Sequence, residues 1–354
     1  MDCQAPCLDF AIIGHQENWQ HITALINDIR TPRLEKLPVE KIKSIFSFIP
    51  PRDVFKINAK SKTGAEANGV YIETFIDPDM LDAQYIRTNI SKVMNAVAFA
   101  KKLGTKVVTM GGFTSILLEG NFDSFSPGPS KFTTGNTLTA AFIVKGVEKA
   151  ITQYGINLQE SNILIVGATG DIGMACTNYF KGKTKKMLLC ARNKNRLQKF
   201  ALELIKDNIL VNYSIVLDEL IPEADIIICV ASSTNIQMAN CKKNVLICDA
   251  GYPKNLETTI DNPAAVHLFH GGMGQVLNGY SINPDYSKSM YHYEAPYISH
   301  GCALEAIVLA LENKFETYST GRGNITNDKM EEIYDLSLKH GITVAPFYNT
   351  KGLW

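Results

Sequence analysis

Three glycines follow an apolar, β-branched run in residues 163–173 (ILIVGATGDIG), and the segment after them has helical spacing. Gly167 suits a tight turn from strand to helix, Gly170 lets the backbone approach a pyrophosphate, and Gly173 lets the helix lie close to the strand. The anion would accept from the unpaired N–H groups at the start of that helix. The pattern predicts a dinucleotide-binding turn, with a plain surface turn as the alternative. The residues predicted to contact the cofactor here are Gly167, Thr169, Gly170, Asp171, Ile172 and Gly173.

A basic run follows the next apolar segment, residues 187–191 (MLLCA), where NAD-binding chains normally carry Asp or Glu. This chain has Arg192-Asn193-Lys194-Asn195-Arg196 instead. A carboxylate repels a 2′-phosphate, whereas a guanidinium pairs with it in a bidentate manner. We therefore predict NADP(H) as the cofactor, with Arg192 and Arg196 as phosphate ligands and Asn193 beside them. A solvated basic turn is the alternative.

Cys302 stands at the start of a strongly periodic helical segment, residues 297–313 (YISHGCALEAIVLALEN). A helix amino terminus favours a thiolate, and a partly protonated His300 would add to the effect, so we expect the pKa of this thiol to be lowered toward neutrality. A thiolate beside a nicotinamide indicates thioester or aldehyde chemistry, because the thioacyl group that it forms accepts a hydride well. An inert, buried cysteine is the alternative.

The composition limits the class of protein. A chain of 354 residues predicts two domains, and 35 basic against 35 acidic residues give no bulk attraction to nucleic acid or anionic lipid. The first ten residues lack the pattern of a signal peptide, and no apolar stretch approaches the ~20 residues of a membrane span. Eight cysteines show no zinc-type spacing. We expect a cytoplasmic protein without a metal site or nucleic-acid partner, and with at most peripheral membrane contact.

The first half of the chain mixes strand and helix patterns. Strands are predicted at 9–13, 54–57, 70–76 and 106–110, and helices at 15–29 and 81–103. A further long helix is predicted to begin in residues 132–151, capped by Thr133 or Thr134.

Strands and helices alternate from residue 161 to 272, which predicts a doubly wound parallel sheet. The carboxyl ends of its later strands carry Ala231, Ser232, Asp249 and Gly251, which should face the cofactor. A tyrosine-rich loop (280–297) and helices at 301–314 and 326–340 follow. The predicted class is α/β: a Rossmann NADP-binding domain (156–290), a second α/β substrate domain (1–155), and a C-terminal helical segment (291–354) that carries Cys302 and packs on the substrate domain.

Several segments in a shared order resemble one family along nearly the whole chain. They are IIGH (12–15), GGFTSI (111–116), FTTGNT (132–137), GATGDIG (167–173), ARNKNRL (191–197), ADIIICVAS (224–232), DAGYPKN (249–255) and NDKMEEI…KHG (327–341). The chain thereby resembles the long-chain fatty acyl-[acyl-carrier-protein] reductases associated with cyanobacterial alkane synthesis.

The resemblance implies NADPH-dependent reduction of a fatty acyl thioester to the aldehyde, after transfer of the acyl chain to a cysteine. Chain order and the AxEAI helix place that cysteine at Cys302. The implied partners are acyl carrier protein or acyl-CoA as acyl donor, and an aldehyde-consuming enzyme. The residues flanking Cys302 and the stretch 273–297 depart from the family pattern, so chain length and carrier preference are not fixed by the resemblance.

On this interpretation the tetrahedral oxyanion needs hydrogen-bond donors. Candidates are backbone N–H groups at a helix start, or the side chains of Thr134, Asn136 and Thr137, for which helix capping is the alternative. Asp249 and Lys254 orient cofactor or substrate, or else only stabilise a turn. His15 and Glu119 receive no role.

Two other functions are compatible with these residues. A reductase could take a different acyl donor, such as acyl-CoA or an aminoacyl ester as in glutamyl-tRNA reductase-like chemistry, although zero net charge makes tRNA the weaker partner. A non-catalytic protein that senses NADPH is the other alternative, because Rossmann folds are reused in this way.

Overall fold

Two six-stranded sheets form the framework of the chain. They belong to a computed structural model that describes residues 8–30, 34–117, 128–231, 236, 240–252, 254, 266–321, 323–349 and 351–353. The chain divides into two compact units. The first consists of Met1–Gly135, Val276–Gly321 and Asp335–Ile342, and the second of Asn136–Gln275, Arg322–Tyr334 and Thr343–Trp354.

The strands, in chain order, are β1 (Phe10–Gly14), β2 (Arg52–Lys60), β3 (Glu66–Glu73), β4 (Val107–Met110), β5 (Lys131–Thr133), β6 (Asn162–Val166), β7 (Lys186–Cys190), β8 (Val211–Ser214), β9 (Ile226–Cys229), β10 (Val245–Asp249), β11 (Val266–His270), β12 (Met273–Val276), β13 (Tyr280–Asn283), β14 (Ile298–His300), β15 (Ile342–Val344), β16 (Tyr348–Asn349) and β17 (Gly352–Leu353).

The α-helices are α1 (Trp19–Ile29), α2 (Val39–Phe46), α3 (Ile86–Lys102), α4 (Phe113–Leu117), α5 (Asn136–Tyr154), α6 (Asp171–Phe180), α7 (Lys194–Lys206), α8 (Ser287–Met290), α9 (Gly301–Leu311) and α10 (Asn327–Lys339).

The sheet of the first unit has the order β13-β2-β3-β1-β4-β5. Strands β3, β1, β4 and β5 run parallel, while β2 and β13 continue the sheet in antiparallel pairs. Burial on both faces explains the continuous apolar runs of β1 and β4. The carboxyl ends of the parallel strands, at Gly14, Glu73, Met110 and Thr133, therefore meet at one edge.

The sheet of the second unit has the order β11-β10-β9-β6-β7-β8, and each of its strand pairs is parallel. Read from β8, this is the strand order 3-2-1-4-5-6 of dinucleotide-binding folds, with its switch point between β6 and β9. The predicted doubly wound sheet is confirmed. The interior consists largely of leucine, isoleucine and valine side chains such as Leu164, Leu188 and Ile227.

Two predicted helices begin later than expected. Residues 131–133 form β5 because they pair with β4, so α5 starts only at Asn136 and neither Thr133 nor Thr134 caps it. Helix α1 starts at Trp19, where the Asn18 side chain accepts the N–H of His21. Sequence reasoning also missed β8 and the short strands after residue 297, and it read 280–297 as a loop although β13 and α8 lie there.

The functional domains expected at 1–155, 156–290 and 291–354 stay a prediction, because a compact unit is defined by packing alone. Among the described residues, none of the helices has both the length and the apolar character that crossing a bilayer requires. The same part of the chain contains no cluster of three or more His, Cys, Asp or Glu side chains arranged to hold a metal ion.

Candidate active site

Cys302 lies in the first turn of α9, within the first unit. The hydroxyl of Thr109, on β4, donates to the Cys302 carbonyl oxygen at 2.8 Å. On the other side, a Cβ added to Gly135 would lie 2.4 Å from the Cys302 Cα. Gly135 also has a φ of +73°, which favours glycine. The glycine of FTTGNT is thus required both for its backbone conformation and for the close approach of the helix that carries Cys302.

The Cys302 sulfur lies against the turn that follows β4. A methyl group at Gly111 would stand 3.7 Å from Sγ. Burial raises the pKa of the thiol to about 11, although hydrogen bonds from the backbone N–H groups of Gly112 and Ala303 lower it, and the charge of Glu305 raises it further. The predicted lowering of this pKa toward neutrality is therefore wrong: desolvation of the thiolate outweighs the donors at the helix start.

The turn beside the sulfur is built by the GGFTSI segment. Gly112 has a φ of +58°. The N–H of Gly111 donates to the carbonyl of Ile13 at 2.8 Å. The hydroxyls of Thr114 and Ser115 donate back to the carbonyls of Gly111 and Gly112, at 2.8 and 2.9 Å. These bonds fix the conformation of the segment that offers a backbone N–H to Cys302.

His15, to which the sequence gave no role, contacts the same turn. Its Nε2 accepts the backbone N–H of Phe113 at 3.1 Å, and its Nδ1 lies 3.1 Å from the carbonyl oxygen of Gln16. Burial lowers the pKa of this imidazole, so it is neutral at pH 7. The signal available in the sequence was its position directly after β1, at the edge where the site lies.

Glu305 is the second residue that sequence reasoning missed. It is fully buried one turn after Cys302. The hydroxyl of Thr133 donates to its Oε1 at 2.5 Å, and the hydroxyl of Ser319 donates to the same oxygen at 2.8 Å. A carboxylate in an otherwise apolar helix was the signal that could have found it, because a buried charge requires such partners.

The three predicted oxyanion donors occupy different surroundings. Thr134 is buried in the first unit, and its backbone N–H donates to the Ser319 carbonyl at 3.0 Å. Asn136 and Thr137 begin α5 in the second unit. The Asn136 amide donates to Oδ2 of Asp171 at 2.9 Å, which joins the start of α5 to the start of α6. Thr137 is fully buried.

The three glycines of the nucleotide turn are closely packed, and Gly173 most tightly. A Cβ at Gly167 would lie 3.0 Å from the nitrogen of Ala231, one at Gly170 would lie 3.3 Å from the Gly167 carbonyl oxygen, and one at Gly173 would lie 2.1 Å from that oxygen. Gly170 is the N-cap of α6 and makes no side-chain cap hydrogen bond, as anion binding at a helix start would require. Thr169, in the turn, and Ile172, in the first turn of α6, are half-buried.

The basic run lies at the carboxyl end of β7, the neighbour of β6 in the sheet. Arg192 and Arg196 are exposed. Asn193 is the N-cap of α7, where its side chain accepts the N–H of Arg196 at 3.0 Å. The turn therefore places two guanidinium groups near a helix start, as recognition of a 2′-phosphate would require.

Asp249, at the end of β10, is fully buried. Its Oδ1 accepts the N–H of Gly251 at 3.1 Å, and Lys254 donates to its carbonyl oxygen at 3.2 Å. This is the turn-stabilising alternative for these residues, and a contact of Asp249 with cofactor stays a prediction. Ala231 packs against Gly167. The predicted Ser232 and the unassigned Glu119 lie outside the described residues.

Comparison with known proteins identifies the family. The long-chain acyl-[acyl-carrier-protein] reductase of Synechococcus elongatus is 35% identical over 309 residues, which are 84% of this chain and 88% of that protein. The chain belongs to the long-chain acyl-[acyl-carrier-protein] reductase family. It is therefore an oxidoreductase, as the sequence predicted. Residues 148–270, which include all six strands of the second sheet, match the family model Shikimate / quinate 5-dehydrogenase.

This acyl-[acyl-carrier-protein] reductase family member also matches parts of other proteins. The glutamyl-tRNA reductase of Flavobacterium psychrophilum is 30% identical over 47% of this chain and 38% of that protein. Among solved structures, L-tryptophan dehydrogenase from Nostoc punctiforme has a TM-score of 0.40 at 10% identity, covering 94% of this chain and 80% of that chain. Glutamyl-tRNA reductase from Methanopyrus kandleri has a TM-score of 0.30 at 17% identity, covering 73% and 55%. These TM-scores are too low to indicate a shared function.

Proposed function

We propose that the protein reduces long-chain acyl groups, carried as thioesters on acyl carrier protein, to fatty aldehydes with NADPH, through a thioacyl intermediate on Cys302. The observation that carries the proposal is the position of Cys302: it lies in the first turn of α9 with its sulfur beside the turn at Gly111, in a chain 35% identical to an acyl-[acyl-carrier-protein] reductase.

In the first step the Cys302 sulfur attacks the thioester carbonyl carbon, and the bond to the phosphopantetheine sulfur breaks. The raised pKa means that the free enzyme carries a thiol at pH 7. The proton therefore leaves the Cys302 sulfur as the new carbon–sulfur bond forms, and the departing phosphopantetheine thiolate takes up one proton. The N–H groups of Gly112 and Ala303 stabilise negative charge on the sulfur during its attack on the thioester carbonyl carbon.

Two features of the second unit support pyrophosphate binding. The absence of a side chain at Gly173 lets the start of α6 lie against the Gly167 carbonyl oxygen, and α6 begins without a side-chain cap. We assign Gly167, Gly170, Gly173 and the first N–H groups of α6 to the pyrophosphate, and Arg192 and Arg196 to the 2′-phosphate. The other residues that we assign to this site are Thr169, Asp171, Ile172, Asn193, Ala231, Ser232, Asp249 and Gly251. NADPH, when bound, supplies the hydride that converts the thioacyl group to the oxidation level of an aldehyde.

The chain must also stabilise the oxyanion of each tetrahedral intermediate. Backbone N–H groups at the start of α9 and the side chains of Thr134, Asn136 and Thr137 are the donors that we propose. The thiohemiacetal then collapses: its carbon–sulfur bond breaks, the aldehyde leaves, and the Cys302 sulfur regains a proton. One thioester, one NADPH and one proton give one aldehyde, one free thiol and NADP⁺.

We also propose a function for each of three segments of the chain. Residues 1–155 bind the acyl donor, 156–290 bind the cofactor, and 291–354 carry the nucleophile. An acyl-CoA or another activated acyl group would react by the same steps, so the donor is decided by binding rather than by the chemistry at Cys302.

A panel of donors tests the proposal. The purified protein is incubated with NADPH and palmitoyl- or stearoyl-carrier protein, palmitoyl-CoA or glutamyl-tRNA, and aldehyde and remaining NADPH are quantified. We expect aldehyde in amounts equal to the NADPH consumed, with the carrier-protein thioesters reacting fastest. Release from glutamyl-tRNA alone would contradict the long-chain assignment, and NADPH binding without turnover of any donor would indicate a sensor.

Cys241 supplies the matched control. It is half-buried like Cys302, and burial raises the pKa of its thiol to about 11 as well. Cys302→Ala should abolish aldehyde release and leave NADPH binding unchanged, whereas Cys241→Ala should do neither. Retained turnover in Cys302→Ala would remove this cysteine from the mechanism.

A further inference from the structure

We infer that His15 is a positioning residue for the nucleophile: its Nε2 accepts the Phe113 N–H and so holds the Gly111–Phe113 turn beside the Cys302 sulfur. The inference rests on the role proposed above for Cys302, because a turn that organises an inert thiol would have no effect on the reaction.

The hydrogen bonds of His15 define one tautomer. Because the N–H of Phe113 donates to Nε2, this nitrogen carries no proton. The carbonyl oxygen of Gln16 can only accept, so the proton is on Nδ1, which lies 3.1 Å from it. Both ring nitrogens are therefore engaged in a neutral imidazole, and His15 is only 7% exposed. It serves as a fixed acceptor in this state.

The turn is attached to the strand β1 side of the sheet at two points, with Gly112 between them. At the first, the Gly111 N–H donates to the Ile13 carbonyl, a backbone bond that most sequences could make. At the second, the Phe113 N–H needs a side chain, and His15 provides it two residues further along the same strand end. The edge of the imidazole also meets the Phe113 ring, with centroids 6.3 Å apart. Only the second attachment depends on residue type.

Without the second attachment, Gly112 loses its restraint on one side. As a glycine with φ of +58°, Gly112 has no side chain to hold it in place, so its N–H can move when that restraint is lost. The hydrogen bond from Gly112 lowers the pKa of Cys302, against burial and the charge of Glu305. Loss of this donor removes stabilisation from the thiolate and from the sulfur during attack. The effect should therefore fall on the reactivity of one cysteine.

Two amide substitutions that differ by one methylene group test the inference. In His15→Gln the side-chain oxygen reaches about the position of Nε2, and in His15→Asn it does not. Alkylation of Cys302 by iodoacetamide is followed by peptide mass spectrometry across a pH series, with acylation from palmitoyl-carrier protein measured in parallel. Cys241, in the same samples, reports general reactivity, and the buried Cys176 reports unfolding.

We expect His15→Asn to slow both reactions of Cys302 by about tenfold at neutral pH, the effect of one pKa unit on a thiol far below its pKa. His15→Gln should stay close to wild type, and Cys241 should not change. Equal rates in both variants, whether fast or slow, would overturn the inference. If Asn at this position also exposes Cys176, His15→Leu, which keeps an apolar side chain but has no acceptor, replaces it. Slow alkylation of Cys302 in His15→Leu with a His15→Gln variant close to wild type supports the role, and equal rates in both refute it.

The two proposals fail in different ways. If wild-type protein forms no thioacyl group on Cys302, the proposed function fails, while the alkylation rates still report whether His15 controls the thiol. If the thioacyl group forms but both variants react like wild type, only the role of His15 is refuted.

Discussion

The backbone of Cys302 occupies the space in which a side chain at Gly135 would have to lie. A Cβ there would stand 2.4 Å from the Cys302 Cα and 2.6 Å from its carbonyl oxygen, in a backbone conformation with φ of +73°. Gly135, the glycine of FTTGNT, and the start of α9 are therefore in close backbone contact.

We predict that Gly135→Ala displaces the start of α9 and abolishes acylation of Cys302. Gly104 is the matched control, since its φ is +71° and nothing lies within 4 Å of a Cβ there. Gly104→Ala should lower the free energy of unfolding by about 1–2 kcal/mol, because alanine is placed in a left-handed backbone conformation without any steric clash. Gly135→Ala should cost about 1–3 kcal/mol more for overpacking. Denaturation curves and acylation rates are measured for both variants. Equal losses of stability in the two variants, with acylation of Cys302 intact, would argue against close packing of Gly135 on Cys302.

Arg192→Ala should weaken NADPH binding much more than NADH binding. A charge-assisted hydrogen bond to the 2′-phosphate contributes about 1.5–3 kcal/mol, so the Kd for NADPH should rise roughly 10- to 100-fold. Lys206→Ala, at the far end of α7, changes the net charge equally but lies about 18 Å along the helix axis from the basic turn. Fluorescence titration of both cofactors checks this. Equal losses for NADPH and NADH would exclude a 2′-phosphate contact.

Glu73 should make the stability of the protein depend on pH. Burial raises the pKa of this carboxyl to about 7, although Gln16, the Phe75 N–H and Tyr71 hydrogen-bond to it and lower the pKa. Between pH 4.5 and 7 the folded protein keeps a proton that the unfolded chain releases, so this contribution to stability is present at low pH and lost as the pH rises through 7. The loss is on the order of 3 kcal/mol.

Comparison with Glu73→Gln isolates that contribution. The free energy of unfolding of wild type minus that of Glu73→Gln should fall between pH 4.5 and 7 and stay constant above pH 7. Glu40→Gln, at an exposed position on α2, should run parallel to wild type. Parallel curves for Glu73→Gln would show that the carboxyl titrates normally.

Sequence reasoning succeeded where one local pattern determines the structure. Within about 20 residues, the sequence specifies a strand by its apolar run, a turn by three glycines, and the packing of the helix that follows. Repetition of this strand–helix pattern predicts the sheet of the second unit. It failed at residues 131–133, which form a strand only because β4 provides a partner. No local pattern contains that pairing.

The candidate site shows the same division. The choice of Cys302, made from its helix and the family motifs, stays a prediction. The predicted direction of its pKa shift was wrong, since burial depends on residues such as Gly111 that are distant in sequence. His15 and Glu305 were missed for the same reason. Their importance lies in hydrogen bonds to Phe113, Thr133 and Ser319, which only the tertiary structure reveals.

The central claim, that Cys302 carries the acyl chain, is tested most directly by mass spectrometry of the intact protein after incubation with palmitoyl-carrier protein in the absence of NADPH. We predict a mass increase of one palmitoyl group in wild type and Cys241→Ala, absent from Cys302→Ala, and discharged as aldehyde when NADPH is added. An unmodified wild-type protein that nevertheless releases aldehyde once NADPH is present, or an adduct that persists in Cys302→Ala, would contradict it.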